Sequence, residues 1–139
     1  MGQTLIIALN GLLGNRKKRI DVTELVDEAI DICGTYPKST VIKGRGGSGI
    51  GKFNKILNRI KDAKCDTLIL VGKSYGGHWC VRLLEKAAEK GYLYKFKRVG
   101  ILTVDPSFVL HKMQRKVRPI PKVDYAVNLH QYGHRSGYR

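Results

Sequence analysis

Leu68-Ile69-Leu70-Val71-Gly72-Lys73-Ser74-Tyr75-Gly76-Gly77 decides how this chain is read. An apolar β-type run feeds the pentapeptide Gly72-Lys73-Ser74-Tyr75-Gly76, and a helical pattern follows at once. That is the order of parts in a nucleophile elbow, where a sharp strand-to-helix turn lifts a serine above the end of a parallel sheet. Side chains two residues either side of such a serine collide with the neighbouring strand and helix, which explains glycine at both places. A serine at a helix N-terminus also has free backbone N–H groups beside it, ready for a developing oxyanion. The plainer reading is a strand–glycine–helix connection in which Ser74 only caps the helix.

Working outward, strands and helices alternate. Thr4–Leu9 is an unbroken apolar and β-branched run ending at Asn10-Gly11, as expected of a strand buried on both faces. Asp21 opens a helix with Glu24 as capping-box partner; Val22, Leu25, Val26, Ala29, Ile30 and Cys33 form its apolar stripe, and Gly34 closes it. Thr40–Ile42 reads as a short second strand. Phe53, Ile56, Leu57 and Ile60 mark a second helix with a basic outer face. Leu68–Val71 is the third strand. A helix from Tyr75 to Lys90 buries Cys80, Leu83, Leu84, Ala87 and Ala88 and stops at Gly91. Val99–Val104 and Tyr125–Leu129 complete the strands. This alternation predicts a single three-layer α/β domain over residues 1–139, with a mostly parallel sheet covered on both faces.

Composition narrows the classes. Hydrophobic residues make up 42% of the 139, enough for one globular core. No apolar run approaches membrane length, and Leu5–Leu9 lacks a preceding basic flank, so neither a membrane span nor a signal peptide is expected. Three scattered cysteines, Cys33, Cys65 and Cys80, read as free thiols in a reducing, cytoplasmic setting. Lys and Arg total 26 against 11 Asp and Glu, a net charge of +15. Clusters lie at Arg16–Arg19, at Lys95-Phe96-Lys97-Arg98 and from His111 to Lys122. A field of that sign draws polyanions, nucleic acid among them, without sequence preference.

Two features stand where acyl-transfer chemistry needs them. The fourth strand ends in Asp105-Pro106, putting a carboxylate on the rim where parallel α/β proteins hold their sites. The same dipeptide also starts ordinary turns. At the end of the first strand, Asn10-Gly11 can offer a backbone N–H to an oxyanion beside that of Tyr75.

The elbow GKSYGG, the strand-end VDP and the first-strand NG turn together resemble the α/β-hydrolase fold, and more closely a small lipase- or esterase-like branch of it. Relative to that branch the chain reads as C-terminally abbreviated. The resemblance implies a five-stranded sheet in the order 2-1-3-4-5. It also implies a serine hydrolase cleaving a small ester or thioester, with Ser74 as nucleophile, Asp105 as acid, and Asn10, Gly11 and Tyr75 around the oxyanion. Such a mechanism needs no metal or organic cofactor. The histidines are His78, His111, His130 and His134. His134 is the expected base, because it follows the last strand and keeps the chain order Ser–Asp–His.

Two other readings stay open. One is a hydrolase fold without a working base, serving as a polyanion-binding or structural assembly protein. The other is a P-loop nucleotide-binding protein: Gly46 to Lys52 fits G-x-x-x-x-G-K before a helix, although Phe53 stands where Ser or Thr would hold Mg²⁺.

Overall fold

The computed structural model describes residues 3–10, 39–45, 49–73, 75–104, 120 and 122–129. Its elements are β1 (Thr4–Asn10), β2 (Ser39–Arg45), α1 (Gly49–Asp62), β3 (Thr67–Lys73), α2 (Tyr75–Glu89), β4 (Arg98–Val104) and β5 (Tyr125–Leu129). The arrangement is α/β with a parallel sheet, and pairing gives the strand order β2-β1-β3-β4-β5. The helix expected over residues 21–33, the glycine loop at 46–48 and the basic clusters at 16–19 and 111–119 lie outside the described residues.

Continuous apolar runs become the central strands, and the most buried of them, β1, is covered on both faces. Every residue of β1 is buried. Alternation then divides the side chains between two faces. Leu5, Ile7 and Leu9 join Leu68, Leu70 and Val99 beneath the helices. Ile6, Ala8 and Val71 form a smaller cluster on the other face, with Ile69 and Leu102 packed at its edge. Towards β5 that second face opens, leaving Tyr125 and Val127 exposed.

The helices follow their stripes. α1 buries Ile56, Leu57 and Ile60, and α2 buries Cys80, Leu83, Leu84 and Ala87, all in one core. Burial in that core raises the Cys80 thiol far above its ordinary pKa, so Cys80 packs as a small apolar group. Gly91 ends α2 with a φ of 76°, while its N–H donates to Ala88 O at 3.0 Å and the Tyr92 N–H donates to Ala87 O at 2.8 Å. Those two bonds are a Schellman cap, and they need a residue that tolerates the left-handed region.

The structure modifies the sequence reading in two places. β2 is longer than its apolar centre, running on through Lys43, Gly44 and Arg45. Among the described residues it pairs with β1 alone, and ladder bonds carry it past the point where apolar side chains stop. The segment read as a basic cluster at Lys95–Arg98 holds Phe96, which is 1% exposed and among the largest fully buried side chains. Its lysines are partly structural. Lys95 Nζ donates to Lys61 O at the end of α1, and Lys97 Nζ lies 3.8 Å from Asp66 Oδ2. At the same end of the sheet, Gln3 O accepts the N–H groups of Asp66 and Thr67, and Asp66 O accepts those of Lys97 and Arg98. Asp124 sets β5 against β4: its Oδ2 accepts the Val99 N–H at 2.8 Å and its own N–H donates to Val99 O at 2.8 Å.

Candidate active site

The site is built where β1, β3 and β4 end together. Pairing aligns Leu9 with Gly72, Gly72 with Thr103, and Lys73 with Val104. β3 ends at Lys73 and α2 opens at Tyr75, so one residue, Ser74, separates strand from helix. Asp105 follows Val104 in the chain as Ser74 follows the paired Lys73. His130 likewise follows Leu129, whose partner on β4 is Val104. Ser74, Asp105, Gly11, His130 and His134 themselves lie outside the described residues, as do His111 and the side chain of Tyr75.

What the described residues fix is the tightness of the connection. A Cβ on Gly72 would stand 2.6 Å from Gly76 O and 2.6 Å from Gly77 Cα, inside the first turn of α2. A Cβ on Gly76 would overlap Leu9 O and stand 2.7 Å from Asn10 O. Both outer glycines of the pentapeptide are therefore required by space: the first by the helix, the second by the end of β1. α2 thus starts hard against the carbonyls of Leu9 and Asn10, and the Tyr75 and Asn10 backbones share one rim.

Three of the four buried polar or charged side chains among the described residues gather at this end: Asn10, His78 and Thr103. Asn10 is expected here from the sequence. Thr103 and His78 are not, because the sequence shows one only as a polar residue in an apolar strand and the other as a histidine off the helix stripe. Thr103 is brought in by its register with Gly72. His78, 6% exposed, lies in the first turn of α2 with its ring at 5.6 Å and 67° from that of Trp79. Trp79 in turn packs on Phe53 of α1, with ring centroids 5.6 Å apart. Burial, helped by the Arg82 cation one turn on, pushes the His78 pKa below its ordinary 6.5. His78 is therefore neutral at pH 7 and can both donate and accept a hydrogen bond.

Of the residues read as a phosphate cradle, 46–48 lie outside the described residues; α1 opens at Gly49, so Gly51 and Lys52 stand in its first turn, and Lys52 is exposed. Among the described residues no three His, Cys, Asp or Glu side chains converge on a metal position, and no helix is long and apolar enough to cross a membrane. Comparison with protein-family models, curated proteins and solved structures found no match to this chain.

Two outcomes test this geometry. Gly76→Ala drives a methyl into the β1 backbone and is expected to cost about 1–3 kcal/mol, read as a lower urea midpoint. Gly100→Ala is the control: its Cβ would stand 3.7 Å from Tyr125 Cβ, an ordinary contact, so it should be close to neutral. An equal response at the two positions contradicts the close approach. The second outcome concerns pH. Because the folded-state pKa of His78 is depressed, its contribution to stability is complete above 6.5 and is lost as pH falls through the folded value. His78→Gln should therefore lose less stability than the parent between neutral and acid pH in paired urea titrations. Parallel pH profiles would contradict a buried neutral imidazole.

Proposed function

We propose that the chain is a serine hydrolase of esterase type, with the paired strands and two helices forming a five-stranded α/β-hydrolase-like core. The observation that carries this reading is the spatial requirement for glycine at both positions 72 and 76, with one residue left between β3 and α2. An elbow needs that compression, because the serine must project from the turn rather than from either element.

In the proposed reaction the Ser74 hydroxyl attacks the carbonyl carbon of a small ester or thioester. A histidine takes the hydroxyl proton, and the Asp105 carboxylate holds that histidine and stabilises the imidazolium. The Tyr75 N–H and a backbone N–H from Asn10-Gly11 receive the oxyanion. Collapse expels the alcohol or thiol, which leaves with the proton from the imidazolium. Water then repeats the sequence on the acyl-enzyme and restores Ser74. No metal or organic cofactor enters these steps. His134 is the proposed base; His130 is the other candidate, since in the sequence it follows Leu129, whose partner on β4 is Val104, the residue before Asp105. His78 sits on the elbow helix itself, and we assign it to positioning α2 rather than to proton transfer.

Fluorophosphonate labelling tests the proposal. The expected result is one labelled site at neutral or mildly alkaline pH, lost in Ser74→Ala while the urea midpoint is unchanged. Asp105→Asn should lower ester turnover by about 10⁴ if it acts as a triad carboxylate. Well-folded protein that takes no label overturns the enzymatic reading and leaves a hydrolase scaffold without a working base.

A further inference from the structure

The face of the sheet turned away from α1 and α2 carries a second site, independent of the hydrolase reading. Strand pairing sets its side chains in rows across the sheet. Thr4 pairs with Thr67 and Thr67 with Arg98, so the row nearest the strand starts is polar. In the next row Gly100 stands between Ile69 and Tyr125, and in the one after it Leu102 pairs with Val127. These residues line a groove of about 350 Å³. Gly100 makes the groove: with no side chain between Ile69 and Tyr125, the middle row sinks to the level of the backbone. A Cβ there would stand 3.7 Å from Tyr125 Cβ, an ordinary contact, so packing does not require the glycine. The register runs through it without a bulge, which leaves close approach of another molecule as the use of a glycine inside a strand.

The groove is polar at one end and apolar along the rest. Arg98 is exposed at the polar end, and among the described residues no carboxylate stands at ion-pair distance from it. Thr67 and the buried Thr4 add hydroxyls to the same end. At the other end Tyr125 and Val127 are 62% and 51% exposed, so the apolar part is open to solvent. The rows of Arg98 and Leu102 lie four residues apart on β4, about 13 Å at roughly 3.3 Å per residue. One cation at one end of a narrow apolar channel matches a molecule with one anionic head and a hydrocarbon tail. A guanidinium holds a carboxylate through two parallel N–H bonds, which selects that head. A second copy fits less well, since it would bring another Arg98 and another +15 against this face. The described end of the β4–β5 connection packs elsewhere, with Ile120 and Val123 on the opposite core.

We propose that this groove binds a carboxylate amphiphile of medium chain length, a fatty acid or a molecule of that shape. The carboxylate sits on Arg98, and the hydrocarbon chain runs over Gly100 towards Leu102 and Val127.

Isothermal titration calorimetry of the full chain with sodium octanoate tests the proposal, at about 0.15 M salt so that distant surface charges are screened. Binding should saturate at one site, and each methylene from hexanoate to decanoate should tighten it about 3- to 4-fold. Acetate should give no signal. Arg98→Gln should weaken octanoate about 10- to 100-fold and leave 1-octanol unchanged. Gly100→Leu keeps every charge but fills the middle row, so it should abolish binding of both at an unchanged urea midpoint, with Gly100→Ala in between. Fluorophosphonate labelling should proceed at the same rate with and without octanoate, which separates the groove from the rim. Three results overturn the proposal: no octanoate binding by the parent, undiminished binding by Gly100→Leu, or octanoate shielding Ser74 from the label. A lower urea midpoint for Gly100→Leu, or a parent dimer that this substitution disperses, also overturns it, because the groove is then filled by the chain itself or by a second copy.

Discussion

The rest of the structure depends on a steric constraint: the first turn of α2 lies against the last carbonyls of β1 while β3 runs straight into it. With glycine at 72 and 76 the helix backbone reaches the strand backbone directly. With any side chain there, α2 would have to lift by the depth of a methyl group. The consequences run down the helix. Cys80, Leu83, Leu84 and Ala87 enter the core only if α2 stays at this height over the sheet. Trp79 meets Phe53 only if α2 stays this close to α1. Close-packed interiors transmit such shifts rather than absorb them. The two glycines therefore couple the local shape of the rim to the packing of the whole helical layer.

That coupling explains why parts of the fold are legible in the sequence. β1, β3 and β4 are legible because their apolar runs are continuous, and in β1 that continuity goes with burial of every residue. The end of α2 is legible because a left-handed cap asks for glycine, and Gly91 supplies it. The length of β2 is not legible, since an edge strand is completed by ladder bonds that Lys43 and Arg45 form as well as valine. Phe96 is hidden by its neighbours. Three basic side chains around one ring look like a surface, and only the return of the chain to Asp66 and Lys61 turns that ring inward.

The candidate site divides along similar lines. Ser74 and Asp105 are read from short patterns in which glycine and a strand-end carboxylate have chemical reasons to stand. Asn10 is read from the end of a strand. Thr103 and His78 are invisible to patterns of that kind, because what makes them rim residues is register and helix height, both tertiary. The histidine of a triad poses the hardest case: it comes from a loop whose path no periodicity reports. The basic charge is legible as a total and not as a surface. The structure divides part of it into paired lysines, as at Lys86 and Lys97, and cations along α1 that meet no described carboxylate.

The central claim is that the compressed connection at residues 72–76 exists to present a nucleophile. A high-resolution crystal structure of the protein after fluorophosphonate treatment tests it most directly. The account predicts phosphorus bonded to Ser74 Oγ at the turn, with the phosphoryl oxygen facing the Tyr75 and Asn10-Gly11 N–H groups. An imidazole should stand between Ser74 and Asp105, within about 2.6–3.2 Å of its partners. An unmodified Ser74 whose hydroxyl caps α2, with no imidazole near Asp105, would contradict it.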